Sequence, residues 1–131
     1  MGRKAGIDPQ EWFRQAQYDL KSADVMFASR QYIHAVFMCH LAVEKALKGL
    51  YTSKNDDMPP RTHNLIFLVG KIEGVVLPEN LSEFLTTMNN VSVPTRYPDE
   101  LKQMRKVYTK AKSAGLVEQS RELVKWLKGK L

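Results

Sequence analysis

Residues 32–51 read YIHAVFMCHLAVEKALKGLY, and this stretch decides the fold. Ile33, Val36, Phe37, His40, Val43, Glu44, Leu47, Leu50 and Tyr51 recur at helical spacing and form one broad face. Ala35, Cys39, Ala42, Ala46 and Gly49 form a nearly opposite seam of small side chains, which lets a second helix axis come close. A helix with two packable faces belongs in the middle of a bundle. Its two interior polar residues, His40 and Glu44, are four apart and therefore stacked neighbours on the larger face.

The segments on either side read as helices packed around this one. Asp8 is placed to cap a first helix, Pro9 suits its first turn, Glu11 completes a capping-box-like arrangement and Ile7 can staple onto Trp12. Trp12, Ala16, Ala23, Met26 and Phe27 share a face, with Asp19 in its centre, and the helix is expected to end near Ser29–Arg30. Residues 52–61, TSKNDDMPPR, read as a loop. Thr62 is placed to cap a helix from His63 to about Glu73, buried through Leu65, Ile66, Leu68, Val69 and Ile72 and stopped by Gly74. Asn80 and Glu83 have capping-box spacing for a helix to about Asn90, with Leu81, Phe84, Leu85 and Met88 inward. Pro94 and Pro98 argue against regular helix over residues 91–99. A last helix begins near Thr109, or at Glu100 with a break, and turns Ala114, Val117, Val124, Leu127 and Leu131 inward.

The expected architecture is all-α, an up-and-down bundle of four to five helices in one domain spanning residues 1–131. No run is long and apolar enough for a membrane span, and the first seven residues lack the apolar core of a signal peptide. The single cysteine, Cys39, excludes an intramolecular disulfide, so a cytoplasmic protein is the simplest expectation. The net charge of +6 is unevenly spread: residues 1–100 carry −1 and residues 101–131 carry +7. The C-terminal excess is either a stripe that attracts phosphate or a solvated helix face.

Motifs for specific chemistry are missing. Glu11, Glu44 and Glu73 are followed three residues later by Arg14, Leu47 and Val76, not by the histidine of a bundle carboxylate site. There is no HExxH, no cysteine pair and no glycine-rich phosphate loop, so neither a metal nor a cofactor is expected. What remains is the embedded polar set. Asp19, His40, Glu44 and Lys48 are expected to form a network, because burying them unpaired costs several kcal/mol. The network either fixes helix register or lines a pocket for a ligand or partner. His63 reads as a neighbour of a cap or a pocket residue. Arg96, in a segment read as irregular, is the best single candidate for a phosphate contact.

Three ordered motifs resemble the HEPN family of small helical domains: FMCHLAVEKALKGLY at 37–51, PPRTHNL at 59–65 and VPTRYPDE at 93–100. YDLKSADVMF at 18–27 and the closing ELVKWLKGKL fit the family's first and last helices. The resemblance implies an antiparallel bundle of four or five helices that is usually a homodimer. It also implies a nucleotide-related context, with family members often encoded beside a minimal nucleotidyltransferase in a two-component, toxin–antitoxin-like system. Candidate ligand or cleft residues are then Asp19, His40, Glu44, Lys45, Lys48, His63, Arg96, Tyr97 and Asp99. The family's ribonuclease branch carries an arginine followed four to six residues later by histidine. Here Arg30 and His34 leave three residues between them at the wrong place in the fold, Arg61 is two before His63, and no histidine follows Arg96. The expectation is a non-catalytic module that binds nucleotide or RNA, with no catalytic residue to assign. The alternatives are a metal-independent ribonuclease using His40 or His63, and a purely structural dimeric interaction protein.

Overall fold

The computed structural model describes residues 6–96 and 101–131, and for residues 92–96 the backbone alone. The described elements are helices: α1 (Pro9–Ala28), α2 (Tyr32–Asn55), α3 (Leu65–Gly70), α4 (Glu79–Arg96), α5 (Leu101–Val107) and α6 (Lys110–Lys128). α2 touches each of the other five. The bundle and the central place of residues 32–51 are as the apolar periodicity predicts.

α1 starts where its sequence says it should. Asp8 Oδ1 accepts from the Gln10 N–H at 2.7 Å, and Pro9 follows at the first helical position, where a missing N–H costs nothing. Glu11 does not close a capping box; its carboxylate takes Arg14 at 2.9 Å and Gln15 at 3.1 Å, one turn further on. The buried stripe of α1 is Phe13, Ala16, Leu20 and Ala23, with Asp19 among them. Arg30 adopts a left-handed backbone (φ 62°) and reverses the chain into α2, so the two longest helices form an antiparallel hairpin.

The small seam is buried, and at its Gly49 end α1 packs directly on it. Ala35, Cys39, Ala42 and Ala46 are all fully buried. At Gly49 an added Cβ would sit 2.8 Å from Cβ of Trp12 and 3.0 Å from the Phe13 ring, so the close approach needs glycine. The opposite, larger face, with Val36, Val43, Leu47 and Leu50, belongs to a core completed by Leu65 and Leu68 of α3, Phe84, Leu85 and Met88 of α4, and Leu123, Val124 and Leu127 of α6.

Several boundaries differ from the sequence expectation. α2 runs one turn past Tyr51, through the polar residues Thr52–Asn55, and stops at Asp56 in left-handed conformation (φ 49°, ψ 48°). Polar side chains do not by themselves end a helix; a residue able to take the left-handed shape does. Asn55 then grips the turn after α3, donating to the Lys71 carbonyl at 2.7 Å and accepting from the Glu73 N–H at 3.1 Å.

α3 is capped by Asn64, whose Oδ1 accepts from the Phe67 N–H at 3.0 Å; Thr62 instead accepts from the Asn64 N–H at 3.1 Å. Asn89 of α4 reaches across to accept from the Leu65 N–H at 2.7 Å, so the short helix is clamped at its amino end from two directions. Ile66, expected inside, is 42% exposed.

α4 starts at Glu79, placing Asn80 inside the helix rather than at its cap, and it runs through Pro94 to Arg96. A proline in the last turn removes a single N–H donor without having to end the helix, which is why the reading of residues 91–96 as irregular does not hold. The final helical region is broken at Tyr108–Thr109: the Thr109 hydroxyl accepts from the Lys112 N–H at 3.3 Å and starts α6. Ser113, Leu116, Ser120 and Leu123 are buried in α6, whereas Ala114 is exposed and Leu131 is 37% exposed. No described helix is long and apolar enough to cross a membrane.

Candidate functional site

The polar set on the larger face of α2 is organised by one carboxylate. Glu44, only 7% exposed at its side chain, receives Lys48 Nζ on Oε2 at 2.9 Å and His63 Nδ1 on Oε1 at 2.9 Å. His40 Nδ1 lies 3.9 Å from the same Oε1, one turn back along the helix, and His40 is fully buried. Lys48 follows from helical spacing. His63 is delivered by the connection between α2 and α3, 19 residues along the chain. A buried carboxylate is tolerated when its oxygens are taken up by charged or hydrogen-bonding partners, which is the arrangement here.

Lys48 also faces α1, with Nζ 6.0 Å from the centre of the Trp12 ring, at the outer limit of a cation–π contact. Trp12 and Lys48 line a cleft of about 210 Å³ whose other wall is the Met58–Arg61 segment, with Gly6 and Ile7 at its edge. An aromatic ring and two cations thus line one opening, and Glu44 ties Lys48 of that wall to His63. Such a combination offers stacking and charge, and His63, 59% exposed at its side chain, keeps part of its ring in solvent.

The structure brings together His40, Glu44, Lys48 and His63 from the predicted set. Asp19, expected in the same network, is instead paired elsewhere: this 9% exposed carboxylate lies 2.9 Å from Lys45 Nζ. Asp19–Lys45 is therefore a separate strut between α1 and α2. Arg96 ends α4 by its backbone, and its side chain, like all of Tyr97 and Asp99, lies outside the described residues. Sequence reasoning missed Trp12 and Arg61 as parts of the cleft. Trp12 has the periodicity of an ordinary core residue, and only its half-buried position beside Lys48 distinguishes it. Among the described residues, no three His, Cys, Asp or Glu side chains gather closely enough to hold a metal ion.

Cys39 lies on the small seam of α2. Burial pushes its thiol up to about 12, against a smaller opposing effect of the Ser120 hydroxyl of α6. It is a packing residue, since the thiolate needed for nucleophilic chemistry is suppressed.

No curated protein matches the chain. Two solved structures have the same fold. TT1696 from Thermus thermophilus is 23% identical, with 94% of this chain and 98% of that chain covered and a TM-score of 0.82. ST0689, an archaeal HEPN homologue, is 24% identical, with 95% and 98% covered and a TM-score of 0.77. The HEPN domain family matches residues 9–130, almost the whole chain, which is therefore a member of the HEPN domain family.

Proposed function

We propose that the chain is a non-catalytic HEPN-type module that engages nucleotide or RNA and acts as the homodimeric partner of a minimal nucleotidyltransferase, in a two-component system of toxin–antitoxin type. The observation that carries the ligand reading is the cleft where Trp12, Lys48 and Arg61 meet. An aromatic ring gives a base a stacking surface, and cations at its edge attract phosphate. Glu44 holds Lys48 in place, so that part of the cleft wall is preorganised before anything binds. The missing arginine–histidine spacing of the ribonuclease branch supports a binding role.

Calorimetric titration with ATP, GTP and a short single-stranded RNA tests this reading. Wild-type protein is expected to bind saturably, with affinity reduced about tenfold or more in Lys48→Ala and in Arg96→Ala, as for loss of a charged contact. No binding at millimolar ligand overturns it. Light scattering that finds a monomer removes the homodimer, and failure to co-purify with a co-expressed minimal nucleotidyltransferase removes the partnership.

One observation favours a second reading, a metal-independent ribonuclease. The Glu44–His63 contact at 2.9 Å orients an exposed imidazole in the way a general base requires, whereas His40 is sealed in the core. RNA cleavage abolished by His63→Ala would support it, and cleavage that survives His63→Ala would reject this role.

A further inference from the structure

The three histidines of the chain stand in three different states. His40 is fully buried, with Nδ1 3.9 Å from Glu44 Oε1. His63 keeps its ring in solvent while its Nδ1 lies 2.9 Å from that same oxygen. His34 is exposed and meets no carboxylate among the described residues. The contact with Glu44 fixes where the proton of His63 sits. Glu44 is ion-paired to Lys48 Nζ at 2.9 Å, and an ionised carboxylate can only accept. Nδ1 of His63 is therefore the donor, and the neutral ring carries its lone pair on Nε2. Nε2 is not one of the sealed polar atoms and makes no hydrogen bond among the described residues. A histidine side chain free in water prefers the opposite tautomer, so the buried carboxylate turns the nucleophilic nitrogen of this ring outward.

Three considerations select the electrophile. The Lys48 ammonium balances the charge of Glu44, so the imidazole is backed by a carboxylate without a net negative charge that would repel an anionic donor. The other soft nucleophile, Cys39, is buried with its thiol pushed up to about 12, which leaves His63 to react first. An imidazole attacks acyl carbon and phosphorus alike, but an N-acyl ring is hydrolysed quickly in neutral water, whereas an N-phosphoryl ring persists. The group this ring can carry is therefore phosphoryl.

We propose that Nε2 of His63 is a covalent modification site that accepts a phosphoryl group from small acyl phosphates. The Nε2 lone pair forms the N–P bond as the P–O bond to the acyl group breaks, and the carboxylate leaves with that electron pair. The Nδ1 proton stays on the ring, and the positive charge the ring acquires is met by Glu44 at 2.9 Å. Glu44 is thus a positioning residue. The modification goes beyond both readings above: His63 does not line the Trp12 cleft, and here it gains a bond instead of relaying a proton.

The test incubates the full chain with acetyl phosphate at mildly alkaline pH, with no nucleotide or RNA present. Phosphorus NMR and mass spectrometry of peptides kept alkaline locate the product. Expected is one acid-labile phosphoryl group on Nε2 of His63, formed about tenfold faster than any on His34, with none on His40 and none at this position in His63→Gln. Glu44→Gln should slow the reaction about tenfold, as for loss of a charge-assisted bond. Nitrogen NMR of the unmodified rings adds a readout that packing alone does not set: Nδ1–H at His63, Nε2–H at His34, and loss of the His63 preference in Glu44→Gln. The proposal is overturned by equal rates at His63 and His34, by phosphoryl on Nδ1, by acetylated lysines with no phosphohistidine, or by Glu44→Gln reacting as wild type. Should Glu44→Gln fail to fold, the wild-type ring still decides, since Nε2–H at His63 overturns the proposal. A cleft that binds no nucleotide leaves each of these outcomes unchanged, so the two readings fail separately.

Discussion

The imidazole of His63 is anchored to the centre of the molecule through Glu44: Nδ1 and Oε1 are 2.9 Å apart, although His63 is 59% exposed and the carboxylate is 7% exposed. One contact thus pins the α2–α3 connection to the helix that touches every other helix. The same carboxylate holds Lys48, 13% exposed, at 2.9 Å.

Removing Glu44 should therefore cost more than removing either partner. Glu44→Ala leaves Lys48 largely buried without its counter-charge and is expected to destabilise by about 2–3 kcal/mol, somewhat below the range for fully buried pairs. His63→Ala, which removes an exposed group, should cost about 1 kcal/mol or less. Urea denaturation at a fixed protein concentration measures both. Equal losses would mean that the Lys48 charge is solvated in some other way.

The α1–α2 seam makes an opposite prediction to helix propensity. Replacing glycine by alanine inside a helix normally adds about 1 kcal/mol of stability. At Gly49 the new Cβ would lie 2.8 Å from Cβ of Trp12, an atom close to backbone that cannot swing aside. Gly49→Ala is expected to destabilise by about 1–3 kcal/mol through overpacking, read as a lowered Tm. A raised Tm would show that the two helices part easily.

The shortest described ion pair should be among the weakest in energy. Arg121 Nη2 and Asp24 Oδ1 are 2.6 Å apart, but the side chains are 42% and 50% exposed. Screening by water and salt limits such a pair to about 0.2–1 kcal/mol. A double-mutant cycle with Arg121→Ala and Asp24→Ala should give a coupling in that range, smaller still at high salt. A coupling above about 2 kcal/mol would contradict the exposed geometry.

Alkaline pH should weaken the fold through Cys39. Its folded value, about 12, lies above the ordinary value of 9.0 because burial disfavours the thiolate. A group whose pKa is raised by folding contributes stability that is intact below its unfolded value and is lost as pH climbs toward the folded one. The loss should run from about pH 9 to pH 12, and burial of Tyr108, which raises its phenol, acts in the same direction. Unfolding free energy followed across that window should fall more steeply in wild type than in Cys39→Ala. Identical slopes would place the alkaline sensitivity elsewhere.

The helices themselves were legible in the sequence because each depends on local periodicity. The seam of Ala35, Cys39, Ala42, Ala46 and Gly49 could be recognised for the same reason, since residues three and four apart must share a face. Asp8 and Thr109 also cap where their sequence context suggests. Boundaries were harder. Thr62 and Asn64 are both good caps, and the choice between them rests on Asn89 reaching Leu65 from another helix. Pro94 lowers the odds of helix locally but does not forbid it in a last turn.

The candidate site divides along the same line. The row His40, Glu44, Lys48 follows from one helix and needs no tertiary knowledge. That Glu44 takes His63, and that Asp19 takes Lys45 rather than joining the Glu44 network, depends on how α1 and the α2–α3 connection are rotated against α2. The cavity between the α1–α2 turn and the α5–α6 junction lies further still from local reading, for Arg30 and Arg105, which both line it, are far apart in the chain. Sequence alone determined an all-α bundle built round residues 32–51, because hydrophobic periodicity is a property of each segment by itself. Only the tertiary structure decided which charges meet, because ion pairing depends on distances of a few ångströms between segments whose relative rotation is set by packing.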